Sequence, residues 1–229
     1  MTQAILFDFD GTLADSFAAI TASTNHVRNC YGLPPLSEAE VRQFVGYGLV
    51  HLMTTLVPGV PVEEAVARYR EHHPYVMMTQ TRLMPGVAET LPQLAHRGYR
   101  MAVCSNKRVE FTQQLVTALG LKDYFACILG PDDVQQRAKP DPAMLLEALN
   151  RLKVSPQQAV YVGDMVVDVQ TARAAGVPVW LILPPESPLR LQFRTNSPAS
   201  ALPPPDRILD TFTDLLRFLS QPDVPPPTG

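Results

Sequence analysis

From residue 99 onward the sequence keeps switching between short apolar, β-rich runs and amphipathic helical stretches, and this alternation constrains the fold most. Strand-like runs at 99–104, 125–129, 159–162 and 177–183 are separated by helical patterns at 109–119, 142–152 and 166–175. Pro142 stands in a first helical turn, where its missing N–H does no harm, and Gly176 stands where a C-cap would. A further apolar run, Ala4-Ile5-Leu6-Phe7, lies near the N-terminus. Alternating β and α units build a parallel sheet covered on both faces. The pattern therefore predicts a doubly wound, Rossmann-like α/β core of five strands, with helical periodicity returning at 206–219.

The alternation is interrupted between residues 17 and 82, where nearly everything reads as helix: 17–31, 37–44, 48–56 and 62–78. Ser37-Glu38-Ala39-Glu40 is close to a capping box at the start of the second. The expected organisation is an α/β core from residues 1–16 and 83–220, with an all-helical domain of residues 17–82 inserted after the first strand. Proline, 23 residues in all, clusters at 184–205 and again at 222–227. The first cluster predicts an irregular loop before a final helix, and residues 221–229 read as a disordered tail.

Composition removes several function classes. An apolar fraction of 46% and a charged fraction of 18% describe a globular protein with ample core material. A net charge of −3 offers no basic face for nucleic acid. No run is apolar for long enough to span a membrane, and the N-terminus reads as a strand rather than an export signal. Cys30, Cys104 and Cys127 are scattered, without metal-site spacing, which suits a reducing compartment and a cytoplasmic protein. Oligomeric state has no signature here.

The chemistry-bearing residues follow the strands. Asp8-Phe9-Asp10-Gly11-Thr12 comes directly after the first, and on a strand Asp8 and Asp10 would point the same way. Such a pair is costly unless a cation or a shared proton relieves it. Ser105-Asn106-Lys107 follows the run at 99–104, Lys139 lies in the loop after 125–129, and Gly163-Asp164 through Asp168 follows 159–162. If a helix begins near Asp164, that residue and Asp168 share a face. Taken singly, each cluster has an ordinary explanation: Ser105 or Asp164 as a helix cap, Lys139 as a solvated loop residue, Asp168 on a wet helix face. Those explanations do not account for every cluster following a strand end, which in a doubly wound fold brings them to one crevice. A hydroxyl, a lysine and four carboxylates converging there suit a hard cation and a phosphate group.

With those residues in view, the chain resembles the haloacid dehalogenase superfamily. Asp8-Phe9-Asp10-Gly11-Thr12-Leu13 matches its first motif, Ser105 its second, Lys139 its third and Gly163-Asp164 through Asp168 its fourth. Within it the phosphoglycolate phosphatase-like branch is most similar, through Asp15-Ser16, residues 41–48, Met84-Pro85-Gly86-Val87 and Ser105-Asn106-Lys107. Residues 180–185 depart from the glycine- and tyrosine-bearing turn of that branch.

The resemblance implies a Mg²⁺-dependent phosphatase acting on a small phosphorylated metabolite. Asp8 would be the nucleophile, forming an aspartyl-phosphate, and Asp10 the acid and base. Mg²⁺ would be held by the Asp8 side chain, the Asp10 carbonyl and Asp164. Ser105, Asn106, Lys139 and Gly11 would hold the phosphate, with Thr12 and Asp168 in support. The helical insert falls where the family carries a cap. Gly46 and Gly48 would approach the substrate, and Arg42, Tyr47 and His51 are candidates for reading its non-phosphate end. His72 and His73 are adjacent and expected on an exposed helix face. Residues 17–83 contain no lysine, which argues against the phosphonate-cleaving and mutase relatives. A pyrophosphatase and a sugar-phosphate mutase are the alternatives within the superfamily. A non-catalytic phospho-ligand-binding scaffold is the alternative of another class.

Overall fold

A computed structural model describes residues 1–194 and 204–219. Residues 195–203 of the proline-rich stretch and the proposed tail at 221–229 lie outside the described residues. In chain order the elements are β1 (Ala4–Phe7), β2 (Ala14–Asp15), α1 (Phe17–Cys30), α2 (Glu38–Arg42), α3 (Leu49–Leu56) and α4 (Val62–Gln80). Then come β3 (Arg82–Leu83), α5 (Val87–His96), β4 (Arg100–Cys104), α6 (Val109–Ala118), β5 (Cys127–Leu129) and α7 (Ala143–Leu152). The last are β6 (Ala159–Gly163), α8 (Val166–Ala175), β7 (Val179–Ile182), α9 (Pro188–Arg194), β8 (Arg207–Leu209) and α10 (Leu215–Phe218).

Six strands form one parallel sheet in the order β5-β4-β1-β6-β7-β8. The strands are almost continuously apolar because both faces are covered. Alternate side chains serve different layers: Ile5, Phe7, Met101 and Val103 join one buried cluster, while Ala4, Leu6, Ala102 and Cys104 join the other. β1 lies between β4 and β6, so the strand order reverses beside it, and the crevice at its C-terminal end is the fold's natural ligand site.

The helices of 17–80 carry a separate apolar cluster that includes Phe17, Ile20, Val27, Leu52, Met53 and Tyr69. The reciprocal Ser37–Glu40 capping box starts α2, and Gly176 closes α8 in the left-handed conformation. The helical stretch leaves and rejoins the core at β2 and β3, an antiparallel pair joining Ala14 to Leu83 and Asp15 to Arg82.

Three expectations need correcting. Residues 207–209 form the sixth strand rather than the start of a helix, pairing with β7 so that Leu183 N–H donates to the Leu209 carbonyl at 2.9 Å. The helix there is only α10, preceded by a single 3₁₀ turn at Phe212–Asp214. The first proline cluster is not wholly irregular, since α9 starts at Pro188, a position where proline costs nothing. Finally, α8 begins at Val166, so Asp164 precedes the helix and does not share its face with Asp168.

Candidate active site

The loops after β1, β4, β5 and β6 meet at one end of the sheet. Asp8 continues β1, its N–H donating to the Val162 carbonyl at 2.9 Å, and is 2% exposed. Lys139, from the loop between β5 and α7, is the hub. Its ammonium lies 2.8 Å from Asp168 Oδ1, donates to the Tyr161 hydroxyl at 3.2 Å, and reaches Asp8 Oδ1 at 2.9 Å as a charge contact without hydrogen-bond alignment. The Tyr161 hydroxyl in turn sits 3.1 Å from Asp168 Oδ1 and 3.0 Å from the Cys104 carbonyl.

Asp168 is committed on both oxygens. Oδ2 accepts the Asp164 and Met165 N–H groups at 3.1 and 3.0 Å, which caps the start of α8 while Oδ1 holds Lys139. Gly163 makes this possible, because a Cβ there would stand 2.3 Å from Asp168 Oδ2.

Asp164 is half-buried and accepts the Thr12 hydroxyl at 3.0 Å. A Cβ on Gly11, whose φ is +88°, would stand 2.3 Å from Asp164 Oδ2, so glycine leaves that oxygen room.

The charges are not balanced. Burial pushes the Asp8 carboxyl up to about 6, although Lys139 pulls the other way. Burial, then Asp168 and Asp8, hold Asp164 well above the usual carboxylate range. For Lys139 burial acts downward, but Asp168 and Asp8 outweigh it and keep the ammonium charged. Carboxylate oxygens of Asp8, Asp164 and Asp168 lie within 4.8 Å of one another against this one buried ammonium. With Asp168 already occupied, Asp8 and Asp164 are the pair with oxygen to spare for a hard cation, and the excess negative charge fits one.

Asp10 adds to the rise of the Asp8 carboxyl through its charge and has partners of its own. It accepts the Ser16 hydroxyl and pairs with the Lys107 ammonium at 3.3 Å. Ser105 is buried and receives the Lys107 N–H at 3.4 Å; it does not cap α6, which starts after Arg108. Asn106 ties three segments together. Its Nδ2 donates to the Gly46 carbonyl at 2.9 Å and the Lys139 carbonyl at 3.1 Å, and its Oδ1 accepts the Lys139 N–H at 2.7 Å.

A cavity of about 260 Å³ opens between these loops and the helical stretch, with Asp8, Asp10 and Lys139 on one wall and Tyr47, Tyr69 and His73 among residues on the other. Gly46 and Gly48 line it, at φ of +109° and +91°. Arg42 does not: its guanidinium stacks 3.8 Å over the Phe17 ring. Nor does His51, which packs on Tyr47 at 5.3 Å between ring centroids. The expectation that both adjacent histidines face solvent fails for His73, which is 1% exposed because its face of α4 packs on α1 and α6. The roles of Lys107, Tyr161 and His73 were not read from sequence. Tyr161 looks like any strand aromatic, and only its period-2 partnership with the site-facing end of β6 hints at more.

Residues 5–182 match the model of the haloacid dehalogenase-like hydrolases. The chain belongs to that family. It is 33% identical over 228 residues to the phosphoglycolate phosphatase of Nitrosococcus oceani, covering 96% of this chain and 97% of that one. It is 37% identical over 190 residues to the phosphoglycolate phosphatase of Rhodospirillum rubrum, covering 78% of each. A haloacid dehalogenase-like family hydrolase from Streptococcus pneumoniae superposes with a TM-score of 0.81 at 23% identity, over 96% of this chain and 99% of that one, a likeness of fold. Among the described residues no helix is long and apolar enough to cross a membrane.

Proposed function

We propose that this hydrolase is a Mg²⁺-dependent phosphatase of a small phosphate monoester, phosphoglycolate or a close analogue, working through an aspartyl-phosphate on Asp8. The observation that carries the reading is the buried Asp8 carboxylate at the central strand end, 2.9 Å from the buried Lys139 ammonium. The similarity to phosphoglycolate phosphatases supports the substrate class.

Asp8 attacks phosphorus, and the bond from phosphorus to the leaving oxygen breaks as the new one forms. Lys139, Ser105 and the N–H groups around Gly11 and Asn106 neutralise charge spreading over the phosphoryl oxygens. Asp10, oriented by Ser16 and Lys107, protonates the departing alkoxide and then takes a proton from the water that cleaves the intermediate. Asp8 and Asp164, with the Asp10 carbonyl as a third oxygen, would hold Mg²⁺, which would supply charge neutralisation between carboxylate and phosphate. The helices of 17–80 act as a cap that shuts water out during the first half-reaction, with Tyr47, Gly46 and Gly48 on the substrate side. A cytoplasmic location belongs to the same reading and rests on the three scattered cysteines.

The test is phosphate release with Mg²⁺ from phosphoglycolate, inorganic pyrophosphate, a hexose 1-phosphate and a generic aryl phosphate. Phosphoglycolate is expected to give the highest kcat/KM, and Asp8→Asn to lower turnover at least about 10⁴-fold with an unchanged circular dichroism spectrum. Turnover retained by Asp8→Asn removes Asp8 as nucleophile.

A further inference from the structure

His73 is the outstanding polar group of the cavity that the proposed chemistry leaves unused. The side chain is 1% exposed, lines the cavity, and its Nε2 has no hydrogen-bond partner among the described residues. A buried polar nitrogen without a partner is costly, and a ligand atom is one way to satisfy it. The ring is also held firmly. It stacks on Tyr69 at 4.9 Å, meets Phe111 at 5.6 Å, and its Nδ1 lies 3.0 Å from Ser23 Oγ. Of the two ring nitrogens, Nδ1 is committed to Ser23 and Nε2 is left over, with under 1 Å² of accessible surface.

We infer that His73 is a specificity-determining residue, whose Nε2–H donates to an acceptor oxygen, a carboxylate above all, on the leaving-group end of the substrate. The assignment rests on the phosphatase reading above and names which part of that substrate this residue reads.

Ser23 links the two histidines. Its hydroxyl lies 3.0 Å from His73 Nδ1 and 3.2 Å from His72 Nδ1, and it has one proton to give. When His72 Nδ1–H donates to Ser23, the serine donates to His73 Nδ1, and the His73 proton must then sit on Nε2. The reverse chain, His73 Nδ1–H to Ser23 and Ser23 to His72 Nδ1, fits the same distances; we take the first, in which Nε2 carries the proton. Cations and carboxylates both line the cavity: Lys107 pairs with Asp10 and Arg108 with Glu110, while Arg70 also lines it and could meet an anionic acceptor. Burial, with Lys107 and His72 adding to it, keeps the His73 ring neutral, so it recognises an oxygen by hydrogen bonding rather than by charge.

The experiment compares phosphoglycolate with ethyl phosphate, which has no acceptor on its leaving group, in wild type, His73→Leu, His73→Gln and Ser23→Ala. His73→Leu is expected to lower the phosphoglycolate-to-ethyl-phosphate ratio of kcat/KM about 10- to 100-fold, the loss of a hydrogen bond to a charged oxygen. His73→Gln, which keeps an N–H near the Nε2 position, restores at least about half of that ratio on a logarithmic scale. Ser23→Ala lowers the ratio several-fold through KM, as expected of a positioning residue. Equal losses on both esters, or an unchanged ratio in folded His73→Leu and His73→Gln, overturn the inference while leaving the phosphatase standing. If wild type releases phosphate from neither ester, both readings fall together.

Discussion

At the residue scale the site is an uneven charge ledger around Lys139. Two carboxylates share one ammonium, and only Asp168 is also met by backbone N–H groups, so Asp168 anchors and Asp8 remains reactive. Removing that anchor leaves a buried cation half-paired and the start of α8 uncapped. Asp168→Ala should cost about 3 kcal/mol, a drop of roughly 10 °C in Tm, readable by calorimetry. A drop within about 2 °C would mean the lysine is held by Asp8 alone. A second outcome concerns protons. The folded Asp8 carboxyl is pushed above its unfolded value of 3.8, to about 6, by burial. The metal-free fold therefore tolerates the neutral acid better, and this group's contribution to stability is lost as pH rises through about 6. Protons and Mg²⁺ compete for Asp8 and Asp164. Mg²⁺ titrations by calorimetry should give an apparent affinity at least about tenfold weaker at pH 5 than at pH 7.5. A pH-independent affinity would place the ion elsewhere.

Among elements, the loop carrying Gly46 and the loop carrying Lys139 are joined through one side chain, Asn106 of the loop after β4. Asn106→Ala frees both loops. The expected result is a fall of about tenfold in kcat/KM, most of it in KM, with Tm lowered by only a few degrees; a change confined to kcat would instead give Asn106 a role at the phosphorus. The elements differ in how plainly they show in the sequence. β1, β4 and β6 were legible because strands buried on both faces read as unbroken apolar runs with a polar break at the ligand end. β8 was not, since three residues that complete a sheet edge cannot outweigh the helical periodicity on their C-terminal side. β2 and β3, two residues each, are defined only by one another, and α5 is masked by Pro92 in its interior. In the site, Asp8, Lys139 and Asp164 announce themselves by following strands. His73 does not, because its importance arises from which face of α4 meets α1, a tertiary fact.

Over the whole molecule, apolar clusters cover both faces of the sheet and a third lies within the helices of 17–80, with the proposed metal pair on the sheet side. Binding there should stabilise the native state: at a hundred times Kd, Mg²⁺ should add about 2.7 kcal/mol and raise Tm by roughly 5–10 °C. Differential scanning fluorimetry of wild type beside Asp164→Asn measures this, and an equal rise in both would remove Asp164 as a ligand. The antiparallel rungs Ala14–Leu83 and Asp15–Arg82 have a wider consequence. Because the outgoing and returning strands are tied side by side, everything between them hangs from a closed stem. A shorter, longer or foreign helical segment spliced in above that stem would leave its two ends together, at the cost of the Gly46–Asn106 hydrogen bond and of the packing of Ala19 and Met77 on the core.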